Sequence, residues 1–327
     1  MARKVKKKKS GIRVFVAFLL MLVIAAFVYK GIITLGSHHI SKEEYGDRTT
    51  TVPPSEIEPD HSVSISSSSD KLNSTNAILI CLKDQTTLMQ KNSEEKIYPA
   101  SLTKMMTAIV AIENLTNLQK EIQLTHYTFN GLYSANASMA GFQPGEKVRA
   151  IDLLYGVMLP SGAEACIGLA DEIAGSEKDF VKMMNQKAAD LGMGNTHFEN
   201  TTGLHDENHY TTVKDLSILL SYALQNDTFR EVFTSSRHST QPTNKHPGGI
   251  TFYNTMFEKL TNKNIIGGEI LGGKTGYTDE AGLCLASLAS VDNQEYIFIS
   301  AGAKGSLYSE QFNITDAIAV YSSIGKK

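Results

Sequence analysis

Cysteine is scarce in this chain: three residues in 327, Cys81, Cys166 and Cys284, with no C-x-x-C spacing. An odd count so spaced argues against a disulfide framework. Cys81 in "AILICL" and Cys284 in "GLCLASLAS" lie in apolar, strand-like runs and read as small buried hydrophobes. Net positive charge is also missing from the chain beyond its first residues. Seven of the 31 Lys and Arg residues fall within positions 1–13, so a net charge of −3 becomes −10 for the remainder. That excludes a basic nucleic-acid face, and no nucleic-acid partner is expected. No internal repeat is visible. Histidine is too sparse for a metal centre: His205, Asp206 and His209 in "GLHDENHY" have ligand-like spacing, but no third histidine or H-E-x-x-H stands nearby. The segment reads as ordering a loop or shaping a cleft wall, with no metal and no cofactor expected.

The one long apolar run is "VFVAFLLMLVIAAFVYKGIITL", residues 14–35, which follows the basic "MARKVKKKK" start. Its length suits a bilayer span. The preceding Lys and Arg predict a cytoplasmic N-terminus (1–13) and a body outside the membrane. A cleaved signal peptide is the competing reading, but no A-x-A site follows. Residues 36–75 are rich in Ser, Thr, Pro and charge and read as a disordered linker.

The folded body is expected over 76–327. "NAILICL" and "TTLMQKN" predict two strands joined by "KDQT". Apolar residues at helical spacing predict a buried helix over 102–115, with further helices at 150–159, 163–175, 176–192 and 213–225. Three consecutive strands are expected at 269–278, 281–292 and 295–304, then a last helix at 309–324. Strands come from both ends and helices from the middle. The expected fold class is therefore α+β, an antiparallel sheet from both chain ends with an inserted helical subdomain and a cleft between them.

S-x-x-K occurs at Ser68…Lys71, Ser93…Lys96 and Ser101…Lys104, and again at the end of the sequence at Ser323…Lys326. Only the third, in "YPASLTKMMTA", opens a buried helix. There burial lowers a lysine pKa, and a neutral Lys104 could take the proton of Ser101, which as an ordinary serine is a weak nucleophile. The plainer reading is a helix cap. "GGKTGYT" (272–278) lies on an expected strand; Lys274 and Thr275 offer a cation and a hydroxyl for a carboxylate, and Gly276 would let a substrate backbone approach. A second lysine near Lys104 would push its pKa down further. Ser161 sits in a Pro/Gly-containing corner between two expected helices, suited to aiming a hydroxyl into a cleft.

S-x-x-K, a serine corner and K-T-G in this order match a known catalytic set. Together with "VMLPSGAEACIGLAD" and "FVKMMNQKAADLGMGNTHFENTTGLHDENHY" they resemble the serine D-alanyl-D-alanine carboxypeptidases, the low-molecular-weight penicillin-binding proteins. The resemblance spans about 76–322. It implies a β-lactamase/penicillin-binding-protein transpeptidase-like fold, and an enzyme acylated on Ser101 that removes the terminal D-alanine of peptidoglycan stem peptides and is blocked by β-lactams. It further implies Lys104 as general base, Ser161 as a proton relay, Lys274 and Thr275 as carboxylate holders, and the N–H groups of Ser101 and Tyr277 as an oxyanion hole. One departure stands out: the family usually has S-G-N at the middle element, and here it reads Ser161-Gly162-Ala163. Glu164 is the nearest polar side chain that could substitute. A β-lactamase or DD-endopeptidase on the same scaffold, or a catalytically impaired wall-binding protein, stays open. Many relatives add a C-terminal β-rich domain; none is expected after the last helix here.

Overall fold

The computed structural model describes residues 70–325. The expected basic segment, membrane span and most of the linker lie outside those residues.

Six antiparallel strands form the central sheet. β1 (Asn76–Cys81) and β2 (Thr87–Lys91) come from the start of the body. Far along the chain come β7 (Asn264–Ile265), β8 (Gly268–Thr278), β9 (Gly282–Val291) and β10 (Gln294–Ala303). The order is β2-β1-β10-β9-β8-β7, so the two chain ends meet at the β1–β10 seam, in register from Asn76 opposite Ala301 to Cys81 opposite Tyr296. A two-residue turn joins β9 to β10. Both turn residues, Asp292 and Asn293, have positive φ (48° and 62°), the geometry that matches strand twist in a tight hairpin.

Alternate residues of the sheet serve two different cores. Leu79, Leu285 and Phe298 pack with Ile314, Ala317 and Val320 of the terminal helix, Phe312–Ile324. Ile78, Ile80, Ile297 and Ile299 face the opposite way, into the larger core built by the helices. The terminal helix is also pinned by polar contacts: the buried Tyr321 hydroxyl donates to the Ser287 carbonyl (2.9 Å) and Asn313 to the Cys284 carbonyl (2.9 Å). It begins at 312 rather than the expected 309. Ser309 and Gln311 instead bond back to the Ser306 backbone, a local alternative to helical bonding.

Between the strand groups the chain forms α1 (Thr103–Asn114), α2 (Ala150–Met158), α3 (Ala163–Ala174), α4 (Glu177–Asp190), α5 (Val213–Ala223), α6 (Asp227–Thr234) and α7 (Thr255–Lys259), so that the terminal helix is α8. Residues 103–111 of α1 are all buried, which makes it the hub of this block. The first turns of α4, α5 and α6 are capped by the side chains of Ser176, Thr212 and Asn226. Two small hairpins complete the block: β3 (Glu121–Gln123) with β4 (Lys147–Arg149), and β5 (Arg237–Ser239) with β6 (Thr251–Tyr253). None of these four strands, nor α6 or α7, was expected.

The linker boundary at 75 needs correction. Leu72 is buried in the α8-side core. The Asp316 carboxylate on α8 accepts from both backbone and side chain of Asn73 (3.0 and 2.9 Å) and of Ser74 (2.8 and 2.7 Å). Four hydrogen bonds to a charged acceptor fold this stretch into the body.

Candidate active site

A tight turn delivers the first serine. Residues Ala100–Leu102 form one turn of 3-10 helix that runs into α1. No side chain caps either element, so Ser101 is not the helix cap that its position allowed. Ala100, just before it, has φ +46°, a left-handed conformation uncommon outside glycine. Lys104, one turn on, is 2% exposed. Its Nζ lies 3.1 Å from Ser101 Oγ and donates to the Thr202 carbonyl at 2.5 Å. Burial holds its pKa below the ordinary lysine value. A free amine with one N–H given to Thr202 keeps its lone pair for the Ser101 proton.

A second serine–lysine pair stands opposite. Ser161 has φ +69° in the corner between α2 and α3. Lys274, on β8, donates to Ser161 Oγ at 2.9 Å and to the Thr275 carbonyl at 2.8 Å. Burial pushes its pKa well down, and the positive charge of Lys104 adds to the fall. Repulsion between the two amines is mutual and disfavours charging both at once; at each the leading cause of the fall is burial. Thr275 Oγ1 lies 2.6 Å from Thr255 Oγ1 on α7.

Ser101, Lys104, Ser161, Thr275, Gly276 and Tyr277 line one continuous crevice between the helical block and the edge of β8. Gly276 does more than admit a substrate. A Cβ there would stand 3.1 Å from the Ser101 nitrogen and 3.2 Å from Ala100 Cβ, so the missing side chain lets β8 press against the nucleophile turn. The Tyr277 hydroxyl is turned to Asp279 (2.6 Å).

Glu164 does not reach the crevice. Its Oε1 accepts from the backbone N–H groups of Ala140, Gly141 and Phe142 at 2.8, 2.9 and 3.2 Å, and its side chain is fully buried. The expectation that it replaces the asparagine fails for a geometric reason: one residue further along a helix points about 100° away. Burial raises its pKa. Ala163 itself lines the crevice and donates its N–H to the Ser138 carbonyl at 2.8 Å. Ser138 borders both halves of the crevice and went unnoticed in the sequence, as did the Thr202 carbonyl, which carries no side-chain signal at all. His205 and His209 are engaged separately. His205 meets the Tyr98 ring edge-on at 4.7 Å, while the buried His209 contacts Thr103.

A buried amine beside a serine hydroxyl and a second serine–lysine pair across a narrow gap form a site suited to nucleophilic acyl transfer. Comparison with known proteins agrees. Residues 63–305 match the family model for D-alanyl-D-alanine carboxypeptidase. The chain is 33% identical over 227 residues to D-alanyl-D-alanine carboxypeptidase DacF of Bacillus subtilis strain 168, covering 69% of this chain and 57% of that protein. It is 33% identical over 213 residues to the D-alanyl-D-alanine carboxypeptidase of Streptomyces sp. strain K15, covering 63% of this chain and 72% of the relative. The crystal structure of the Streptomyces K15 DD-transpeptidase superposes with a TM-score of 0.68 at 28% identity, over 77% of this chain and 98% of that one. The chain thus spans little more than half the length of the Bacillus relative.

Proposed function

The chain belongs to the D-alanyl-D-alanine carboxypeptidase family, and from that premise we propose that it is a serine peptidase that removes the terminal D-alanine from peptidoglycan stem peptides through an acyl-enzyme on Ser101. The observation that carries this is the 3.1 Å contact between Ser101 Oγ and the buried Lys104 amine, with Lys274 bonded to Ser161, which lines the same crevice.

In this reading the substrate carboxylate docks against Lys274 and Thr275, and its negative charge favours the protonated form of Lys274. Lys104 takes the Ser101 proton as Oγ attacks the carbonyl carbon. The N–H groups of Ser101 and Tyr277 receive the developing oxyanion. Ser161 passes a proton from Lys274 to the leaving amine as the C–N bond breaks. Water then adds to the acyl carbon; its proton returns through Ser161 to Lys274, and Lys104 gives back the proton of Ser101 Oγ. Both lysines end as they began. β-Lactams, whose strained amide also carries a nearby carboxylate, acylate the same serine. The apolar 14–35 run would hold this body outside a bacterial cell membrane, with the basic N-terminus in the cytoplasm.

Incubation of the full chain with a fluorescent penicillin, then with a peptide ending in D-Ala-D-Ala, tests the reading. Covalent label and released D-alanine, both absent in Ser101→Ala, are expected. No label on the wild-type chain sinks it. Ala163 favours one second reading, a wall-binding protein that holds the peptide without turning it over; binding of the peptide with neither label nor D-alanine would support that instead.

A further inference from the structure

Behind the nucleophile lies a hydrogen-bonded relay that the catalytic steps do not use. His209 is buried, 2% exposed, against the Phe198 ring. Its Nδ1 faces two backbone donors, Glu199 N–H at 3.0 Å and Asn200 N–H at 3.4 Å. An atom between two donors must accept, so the ring proton sits on Nε2. Nε2 then donates to Thr103 Oγ1 at 2.8 Å, and the Thr103 hydroxyl donates to the Ala100 carbonyl, also at 2.8 Å. Every proton in this line has one direction. Burial holds the His209 pKa at about 4, which keeps the imidazole neutral and the direction fixed.

The two ends of the line matter. Ala100 is the left-handed residue that aims Ser101. The backbone that His209 grips at 199–200 continues into Thr202, whose carbonyl receives the Lys104 amine. Gly203, at φ +81°, then closes on the same Ala100 carbonyl so tightly that a Cβ would meet the oxygen at 1.9 Å. The imidazole therefore links the nucleophile turn to the loop that orients its base, alongside the bonds from Lys104 to the Thr202 carbonyl and from Thr107 to the Thr201 carbonyl.

We infer that His209 is a positioning residue: through Thr103 and through the 199–203 loop it sets the placement of Ser101 relative to Lys104. It touches no substrate. Its effect falls on the reacting geometry, where small displacements cost large factors in rate.

The inference rests on the proposed acyl-enzyme chemistry, so the test follows the rate of Ser101 labelling by penicillin and the turnover of a D-Ala-D-Ala peptide in the full chain. Thr103→Val keeps the shape and removes the hydroxyl; it should slow labelling at least about tenfold, lowering kcat with little change in KM. Thr103→Ser should recover most of the lost rate. His209→Phe combined with Thr103→Val should be no slower than His209→Phe alone, because both cut the same line. Where His209→Phe does not fold, the two Thr103 variants carry the test. Labelling of Thr103→Val at the wild-type rate, or a change confined to KM, overturns the inference. An unlabelled wild-type chain would instead remove the functional reading on which it stands.

Discussion

The crevice holds two serine–lysine pairs that look alike and are specified in opposite ways. Ser101 and Lys104 stand three residues apart where the Ala100–Leu102 turn runs into α1, so local structure brings them together. Ser161 and Lys274 are 113 residues apart and meet only when the α2–α3 corner is set against β8. The first pair is local chemistry waiting for burial. The second reports that the helical block and the sheet have docked. In the proposed mechanism the local pair activates Ser101, and the distant pair supplies a proton and a carboxylate partner.

Breaking each pair in turn tests that contrast. Lys104→Met should cut Ser101 acylation about 10³-fold, because the attacking hydroxyl loses its only base. Lys274→Met should cost less, about 10²-fold, and much of that as a rise in KM, since it removes a proton source and a carboxylate partner while leaving Ser101 activated. Single-turnover labelling read against peptide KM separates the two. Equal losses with equal KM would remove the distinction between the pairs.

A second contrast is between groups whose burial serves chemistry and those whose burial serves position. The His209 pKa falls from 6.5 to about 4 through burial. The unfolded chain therefore binds a proton between those values that the folded chain refuses. Stability from this group is fully present above pH 6.5 and is lost as pH falls toward 4, by up to roughly 3 kcal/mol. Urea unfolding midpoints across that window should fall for the wild-type chain and fall less for His209→Gln. The same slope in both would show that His209 does not titrate this way.

The smallest effect is expected where the chain departs from its family. Ala163→Asn adds an amide at the crevice wall beside Ser138. It should change the deacylation rate about threefold, the scale of one neutral hydrogen bond worth roughly 0.5–1 kcal/mol. Identical kinetics would mean that the wall at 163 is not in contact with the acyl group.

The same local-versus-distant division decided what could be read from the sequence. The order of strands and helices and the buried character of 102–115 were legible because periodicity is a property of the chain; the convergence of Ser101, Lys104, Ser161 and Lys274 was legible through the motif order and the family resemblance it carries. Glu164 was not. Its neighbour Ala163 faces the crevice, but the carboxylate found three backbone N–H groups in a loop whose path no pattern announces. Thr202 acts through a carbonyl, which every residue has. The strands at 121–123 and 147–149, and at 237–239 and 251–253, are three residues each, too short for alternation to register. Leu72–Ser74 looked like tether because its polar atoms are satisfied by Asp316, more than 240 residues on.

That clasp has a mechanical meaning. The chain entering the body is fastened to α8 before it reaches β1, so a pull transmitted from upstream is shared first with the last helix. α8 in turn is bolted to β9 by Tyr321 and Asn313. Tension would then load a hydrogen-bonded buckle on the far face of the sheet before it reached β1.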